Sequence, residues 1–174
     1  GAAHPNIPQP GKVWHTDIDF APRTLWILRE DGSAKRLPLA RSPNWEPHPN
    51  DHMAEWWTWT NEDHPFKPEE PWAAYDTKHI KGKSPGYFEG AYVYSEFGWV
   101  MGTPYPTKVQ DVDTETGAME FAGWTGGGTA GVIHRHMRYY VEDIPHYLDD
   151  PEGEFWFDKK GEGGRLYVRL PEDT

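Results

Sequence analysis

Glycine and proline constrain this chain more than any other feature of its sequence. The chain has 18 glycines and 17 prolines among 174 residues, about one residue in five. Proline removes a backbone donor and glycine favours turns, so long helices have little room. Short strands joined by turns are expected instead, and roughly eight of them are typical of a sandwich or barrel. We therefore predict an all-β fold, an antiparallel β-sandwich or partly open barrel with long Pro/Trp-rich loops and little helix.

Several segments carry strand and hairpin patterns. Residues 13–20 alternate with a period of two, which is typical of a half-buried strand. Residues 25–28 and 35–39 flank a turn-forming sequence around Gly32, which predicts a hairpin. A second hairpin turn is predicted at residues 113–117, where Gly117 provides a positive φ. Further strands are predicted at residues 87–101, 107–112, 118–122, 132–141, 154–157 and 166–170, and a helical turn at residues 144–148.

The length predicts a single β-sandwich domain over residues 1–174. Within it, residues 41–86 are expected to form a long irregular loop region, because prolines recur from Pro43 to Pro85 and bar long regular elements. Only residues 53–59 are expected to form a strand or a short helix there. A long irregular stretch in a compact domain is often functional, so this region is the first place to look for a binding site.

Charge and composition exclude several classes of partner and chemistry. The formal net charge is −11, which disfavours nucleic acid as a partner. No segment approaches the roughly 20 apolar residues that cross a bilayer, so we predict no membrane partner. The absence of cysteine excludes disulfides, thiol catalysis and cysteine metal clusters. The first residues, Gly1 to Pro5, have no signal-peptide pattern.

Tryptophan is the unusual component, with ten in the chain. Three of them, Trp56, Trp57 and Trp59, lie in the irregular region. If that segment is extended, Trp57 and Trp59 share one face and Trp56 takes the other. A flat indole stacks on the apolar face of a sugar ring, so we predict that Trp57, Trp59 and Trp99 bind substrate. The alternative is that the tryptophans form a small core that holds the loop together.

Histidines occur at two spacings that resemble metal sites. A proline between His48 and His52 disfavours a helix that would bring both to one metal. His134 and His136 alternate on a predicted strand, but arginines beside them oppose a cation. We predict no metal and no cofactor. The alternative is a stand-alone metalloenzyme of the cupin kind, in which His134 and His136 hold a metal and Glu142 acts as acid or base.

Catalytic residues stay unassigned because the chain has many carboxylates and no catalytic motif. No Gly-x-Ser-x-Gly, phosphate loop or dinucleotide fingerprint is present. Paired acids for glycosidic chemistry are distinguished by their separation, which the sequence does not define. The acidic residues considered are Glu89, Glu96, Asp111, Asp113, Glu142 and Asp158.

The last third of the chain carries a longer sequence pattern. Residues 138–144 read Arg-Tyr-Tyr-Val-Glu-Asp-Ile, residues 148–158 read Leu-Asp-Asp-Pro-Glu-Gly-Glu-Phe-Trp-Phe-Asp, and residues 164–171 read Gly-Arg-Leu-Tyr-Val-Arg-Leu-Pro. This run resembles one in large right-handed parallel β-helix proteins that act on carbohydrates. The chain departs from that run at Asp143, where Asn is usual, at the extra Glu152, and at Phe155-Trp156, which replaces Trp-Tyr. The tryptophan-rich loop lies outside the resemblance.

The resemblance implies the β-sandwich region that flanks such a β-helix, present here without the β-helix coils. The expected function is an accessory carbohydrate-binding or cleft-forming domain of a polysaccharide-degrading glycosidase or lyase, not catalytic alone because the family's acids lie mainly on the coils. The expected partners are a polysaccharide or oligosaccharide and the downstream β-helix of the same protein. The expected location is secreted or periplasmic, in a bacterium. A purely structural domain is the remaining alternative.

The resemblance also implies structural roles for its own residues. Leu148, Trp156 and Tyr167 are expected in the core, and Asp149 and Gly153 are expected to make turns. No catalytic residue is carried over from the family.

Overall fold

The computed structural model describes residues 4–60, 73–96, 105–121 and 136–172. The predicted all-β fold with antiparallel sheets is confirmed. Helical elements in these ranges are short 3-10 turns, Pro10–Lys12 and Pro145–Tyr147. None of the helices in the described ranges has the length and apolar character needed to cross a bilayer. The strands are β1 Val13–Ile18, β2 Leu25–Leu28, β3 Ala34–Leu37, β4 Arg41–Ser42, β5 Trp57–Thr58, β6 Ala73–Tyr75, β7 Tyr92–Ser95, β8 Tyr105–Asp113, β9 Ala118–Phe121, β10 Arg138–Glu142, β11 Glu154–Lys160 and β12 Gly163–Arg169.

The contacts of the chain group into two compact units, whereas its length predicts a single domain over residues 1–174. The first unit comprises Gly1–Asn44 and Glu142–Thr174, and the second comprises Trp45–Val141. The region predicted to be irregular, residues 41–86, contains only the short strands β4, β5 and β6 in its described part. Proline therefore limits the length of strands in this region without preventing them.

The first unit contains a three-stranded antiparallel sheet in the order β1-β12-β11 and the predicted hairpin β2-β3. The chain after β3 continues beside β11, where Leu39 forms a parallel bridge to Phe155. Leu37, Phe155 and Leu166 are buried at the centre of its core, because the apolar faces of the hairpin and the sheet pack on each other.

The core positions expected for Leu148, Trp156 and Tyr167 and the turn expected at Gly153 are confirmed. Leu148, Trp156 and Tyr167 are all buried. Gly153 has a φ of +96°, and a Cβ at this position would lie 2.8 Å from Pro171 Cδ. Glycine is therefore required here both by the backbone conformation and by the close approach of Pro171.

The second unit is an antiparallel sheet in the order β5-β10-β7-β8-β9-β6. Its two edges are joined where the backbone N–H of Thr60, just after β5, donates to the carbonyl of Tyr75 in β6 over 2.7 Å. This hydrogen bond joins the two ends of the sheet, so that the six strands form a small barrel.

The interior of the barrel is aromatic. Trp59 and Tyr139 stack with their ring centroids 3.6 Å apart, and Phe121 contacts Trp59 edge to face. The indole N–H of Trp59 donates to the buried hydroxyl of Ser95 over 2.9 Å. The polar atom of this large side chain is therefore satisfied inside the core.

The predicted turn at residues 113–117 is confirmed as the connection between β8 and β9. Asp113 accepts hydrogen bonds from the backbone N–H groups of Glu115 and Thr116. Gly117 has a φ of +85°, and a Cβ there would lie 2.8 Å from the carbonyl oxygen of Asp76. The turn between β8 and β9 thus packs against Asp76, the residue that follows β6.

Candidate functional site

The three predicted sugar-binding tryptophans have different positions. Trp57 is half-buried and lines a cavity at one end of the barrel. Trp59 is 1% exposed, so the prediction that it binds substrate is wrong for this structure: the stacked ring of Tyr139 covers it and makes it a core residue. Trp99 lies outside the described residues. Only Trp57 of the three is placed by the structure where a ligand can reach it.

The alternation predicted for these tryptophans is confirmed. Trp57 and Trp59 both contact the ring of Tyr139, whereas Trp56 contacts the ring of Tyr140. Tyr139 and Tyr140 are neighbours on β10 and therefore lie on opposite faces of the sheet. Trp57 and Trp59 share the inner face, and their different burial follows from their different depth along the barrel.

A short turn before Trp56 forms one wall of the cavity. The carboxylate of Asp51 accepts the backbone N–H of Met53 over 3.0 Å, and its other oxygen accepts Arg138 Nη1 over 2.7 Å. Arg138 also forms a two-point ion pair with Glu96, with contacts of 3.0 and 3.2 Å. This network fixes the turn to β10, and it occupies Glu96, one of the acids considered for catalysis.

Another part of the cavity lining is organised by Asp76, which is fully buried just after β6. Its Oδ1 accepts the backbone N–H groups of Lys78 and His79, at 2.7 and 3.1 Å. Its Oδ2 accepts the hydroxyl of Tyr139 at 2.5 Å and lies 2.7 Å from His79 Nδ1. A buried carboxylate requires such hydrogen bonds, and four of them hold this one in place.

His79 is fixed in one tautomer by these contacts. The Asp76 carboxylate acts as an acceptor for every neighbour, so Nδ1 of His79 carries a hydrogen and donates it. In the neutral imidazole, Nε2 is then left as an acceptor. The ring is 20% exposed and stacks on the indole of Trp57, with centroids 4.2 Å apart and planes 3° from parallel.

These elements surround a cavity of about 270 Å³. Six of the side chains that line it are those of Glu55, Trp56, Trp57, Thr58, Lys78 and His79. The cavity is close to the lower end of the roughly 300–1,000 Å³ range of small-molecule sites. Indoles, a hydroxyl, a carboxylate, an ammonium group and an imidazole around a space of this size suit a small polyol that has one apolar face.

Asp76 and His79 are not among the residues that the sequence predicts for a site. Their local signal is the sequence Asp-x-x-His directly after a short strand, in which the Asp side chain caps the following turn. That signal predicts the turn but not the approach of Trp57 and Tyr139, which come from two other strands.

The histidines considered as metal ligands do not form a metal site in the described residues. Nδ1 of His48 accepts the backbone N–H groups of Asn50 and Asp51. His136 lies in a turn with a φ of +68° before β10, and His134 lies outside the described ranges. No group of three or more His, Cys, Asp or Glu residues suited to a metal is found in the described part of the chain.

Asp113 and Asp158, two of the other acids considered for catalysis, form hydrogen bonds or ion pairs with neighbouring residues. Asp113 caps the β8-β9 turn, where the Thr116 hydroxyl and the turn N–H groups lower the pKa of its carboxyl. Asp158 lies 3.3 Å from the ammonium group of Lys160. Glu89 and Asp111 line a second cavity of the same unit.

Comparison of the chain with protein-family models, curated proteins and solved structures finds no match.

Proposed function

We propose that the barrel binds carbohydrate at the cavity formed by Trp57 and His79. The observation that carries this proposal is the parallel stack of the two rings at the edge of an accessible cavity, with the imidazole held by the buried carboxylate of Asp76. A side chain that is fixed before the ligand arrives loses little entropy on binding.

The polar groups around the cavity match the hydroxyls of a sugar ring. Nε2 of His79 is an acceptor in the neutral imidazole, Lys78 is a donor, and Glu55 is an acceptor. Trp56 and Trp57 supply apolar area for the face of the ring. The combination of aromatic surface with donors and acceptors around its rim is the chemistry that distinguishes a sugar from a purely apolar ligand.

The wider function that we propose is an accessory domain of a polysaccharide-degrading enzyme of the β-helix kind, glycosidase or lyase, in a secreted or periplasmic bacterial protein. The support is the resemblance of residues 138–171. A second support is the surface of the first unit, where Trp14, Phe20, Trp26 and Leu28 are each more than half exposed. Large apolar residues at a surface favour contact with a further chain segment, which we propose is the downstream β-helix.

The test is calorimetric titration of the full chain with a panel of plant-cell-wall and algal oligosaccharides. The panel comprises xylo-, manno-, galacto-, cello- and laminari-oligosaccharides and oligogalacturonates. We expect binding to at least one of them, and a loss of about fivefold or more in affinity on Trp57→Ala, since one stacking aromatic contributes about 1 kcal/mol or more.

Trp26→Ala is the matched control, because Trp26 is an exposed tryptophan in the first unit. Circular dichroism and thermal unfolding verify that each variant is folded. Binding that Trp57→Ala leaves intact in a folded protein contradicts the site. Absence of heat with the whole panel contradicts the function and favours a purely structural domain.

A further inference from the structure

A second, larger cavity of about 460 Å³ lies in the same barrel. It is bounded by the turn at Gly86–Gly90 and by the part of β8 around Gln110. The register between β8 and β9 shifts between Val109 and Asp111, so Gln110 is the extra residue of a β-bulge. A bulge redirects side chains away from regular alternation, and bulges are frequent beside binding sites.

The side chains around this second cavity retain hydrogen-bonding capacity. Those of Glu89, Lys108 and Gln110 form no hydrogen bond or ion pair with any other residue in the described part of the chain. Tyr87 adds an aromatic ring, which Lys83 Nζ approaches to 4.9 Å from the ring centroid. An aromatic ring beside an amide, a carboxylate and an ammonium group is again a surface suited to a polyol.

One chain segment borders both cavities. The connection between β6 and β7 contributes Lys78 and His79 to the first cavity and residues 86–90 to the second. Its centre is anchored in the core, where Ile80 and Phe88 are buried. Neighbouring strands of the barrel run in opposite directions. The start of β5, the end of β6, the start of β7 and the end of β8 therefore lie at one end of the barrel, and both cavities lie at that end.

Among the residues that line them, each cavity has two carboxylates and one ammonium group. The first has the carboxylates of Glu55 and Asp76 against the ammonium group of Lys78. The second has the carboxylates of Glu89 and Asp111 against the ammonium group of Lys108. The chain as a whole has a formal net charge of −11. A ligand that carries a carboxylate on each sugar is repelled by this arrangement.

We infer that the two cavities are subsites for one extended, electrically neutral oligosaccharide. The inference rests on the proposed function, since it requires that the first cavity binds sugar. One ring occupies the cavity beside Trp57 and His79, and a later part of the same ligand occupies the cavity beside Tyr87 and Gln110. The β6-β7 connection lies between the two subsites.

The test uses two size series, xylo-oligosaccharides and cello-oligosaccharides of one to six sugars, with hexagalacturonate as the charged comparison. The proteins are the full chain, Lys108→Ala/Gln110→Ala, and Lys81→Ala as a control. Lys81 is an exposed lysine of the β6-β7 connection that lines neither cavity.

We expect affinity to rise with ligand length and the hexasaccharide to bind at least about tenfold more tightly than the monosaccharide, as two added hydrogen bonds of ordinary strength provide. The double variant Lys108→Ala/Gln110→Ala is expected to remove most of this gain in affinity with length. Its affinity for the monosaccharide is expected to stay within about twofold of that of the unmodified chain. Lys81→Ala is expected to change neither the gain with length nor the affinity for the monosaccharide. Hexagalacturonate is expected to bind more weakly than the neutral hexasaccharides.

The failures of the two proposals are distinguishable. Binding that is independent of length, or that Lys108→Ala/Gln110→Ala does not alter, overturns the second subsite and leaves the first in place. Tighter binding of hexagalacturonate overturns the preference for a neutral ligand. Absence of binding to both size series and to hexagalacturonate overturns the inference, and absence of heat with the whole oligosaccharide panel overturns the proposed function as well.

Discussion

The indole of Trp57 and the imidazole of His79 lie face to face, 4.2 Å apart and 3° from parallel. Trp57 lies on β5, and His79 lies on the connection between β6 and β7. The carboxylate of Asp76 holds the imidazole through Nδ1 of His79. The ring on which the Trp57 indole stacks is thus held by a buried carboxylate. This contact couples the stability of the barrel to the geometry of the proposed site.

The first prediction concerns that coupling. Tyr139→Phe removes the hydroxyl that donates to Asp76, and we expect it to lower the free energy of unfolding by about 1–3 kcal/mol. Asp76→Asn weakens the same hydrogen bond and also releases the imidazole of His79. Because both variants act on one contact, the double variant is expected to lose about 0.5–3 kcal/mol less than the sum of the two single variants.

Urea unfolding, followed by tryptophan fluorescence, measures these differences for the four proteins of the cycle. Additive losses, within about 0.5 kcal/mol, are the result expected of residues that do not interact. That result contradicts the role given to Asp76.

The second prediction concerns the pH dependence of stability in the first unit. Glu154 is fully buried, and its Oε1 has no hydrogen-bond partner among the described residues. Burial, with the nearby charges of Asp150 and Asp149, raises the pKa of Glu154 from 4.5 to about 9. Between these two values the folded protein holds a proton that the unfolded chain releases. The free energy of unfolding therefore falls as pH rises through this window, by at most about 1.4 kcal/mol per pH unit.

Glu154→Gln removes this titration, and we expect its urea midpoint to vary less between pH 5.5 and about 8.5 than that of the unmodified chain. Some dependence remains because burial also raises the pKa values of Asp149 and Asp150. Glu162→Gln is the control, since Glu162 is an exposed glutamate of the same unit. Parallel pH profiles for Glu154→Gln and the unmodified chain contradict the burial of an uncharged Glu154.

The third prediction concerns Asp143, which follows β10 with a φ of +68°. Burial raises the pKa of its carboxyl from 3.8 to about 6. Asn tolerates the left-handed backbone as well as Asp does, and it has no charge to desolvate. We expect Asp143→Asn to stabilise the protein above pH 6, by on the order of 1–3 kcal/mol, and to have little effect below the unfolded pKa of 3.8. Chemical unfolding at pH 3.5 and pH 7.5 tests this, and a gain of equal size at both values contradicts it.

The fourth prediction separates backbone strain from steric clash. Gly117 and Gly82 have similar positive φ values, +85° and +80°. A Cβ on Gly117 would lie 2.8 Å from the carbonyl oxygen of Asp76, whereas a Cβ on Gly82 meets nothing within 4 Å. Both Ala variants are expected to lose about 1 kcal/mol or more from strain, and Gly117→Ala is expected to lose at least another 1 kcal/mol from the clash. Equal losses in urea unfolding contradict the close approach.

The strand positions follow closely from the sequence, because period-two alternation and turn chemistry are local. The sequence predicts a strand at residues 25–28, which form β2, and a turn at residues 113–117, which connects β8 and β9. The ends of strands follow less accurately from the sequence. In the segment predicted as a strand at residues 132–141, the strand that the structure describes begins at Arg138. The chain before that residue includes the turn at His136, whose left-handed backbone is incompatible with a regular strand.

The site is less predictable because its parts meet only in the closed barrel. Trp57, Asp76, His79 and Tyr139 come from β5, the β6-β7 connection and β10. Alternation placed Trp57 and Trp59 correctly on one face, but it carries no information on depth along the barrel. Depth decides that Trp59 is covered by Tyr139 while Trp57 reaches the cavity.

The most direct test of the account is NMR of the full chain during titration with the best-binding oligosaccharide of the panel. The resonances to follow are the indole N–H signals of Trp57, Trp59 and Trp26 and the ring signals of His79, assigned with single substitutions. We expect large shifts for Trp57 and His79, small ones for buried Trp59, and none for Trp26 in the first unit. Binding that shifts Trp26 and leaves Trp57 and His79 unchanged contradicts the proposal that the barrel cavity is the carbohydrate site.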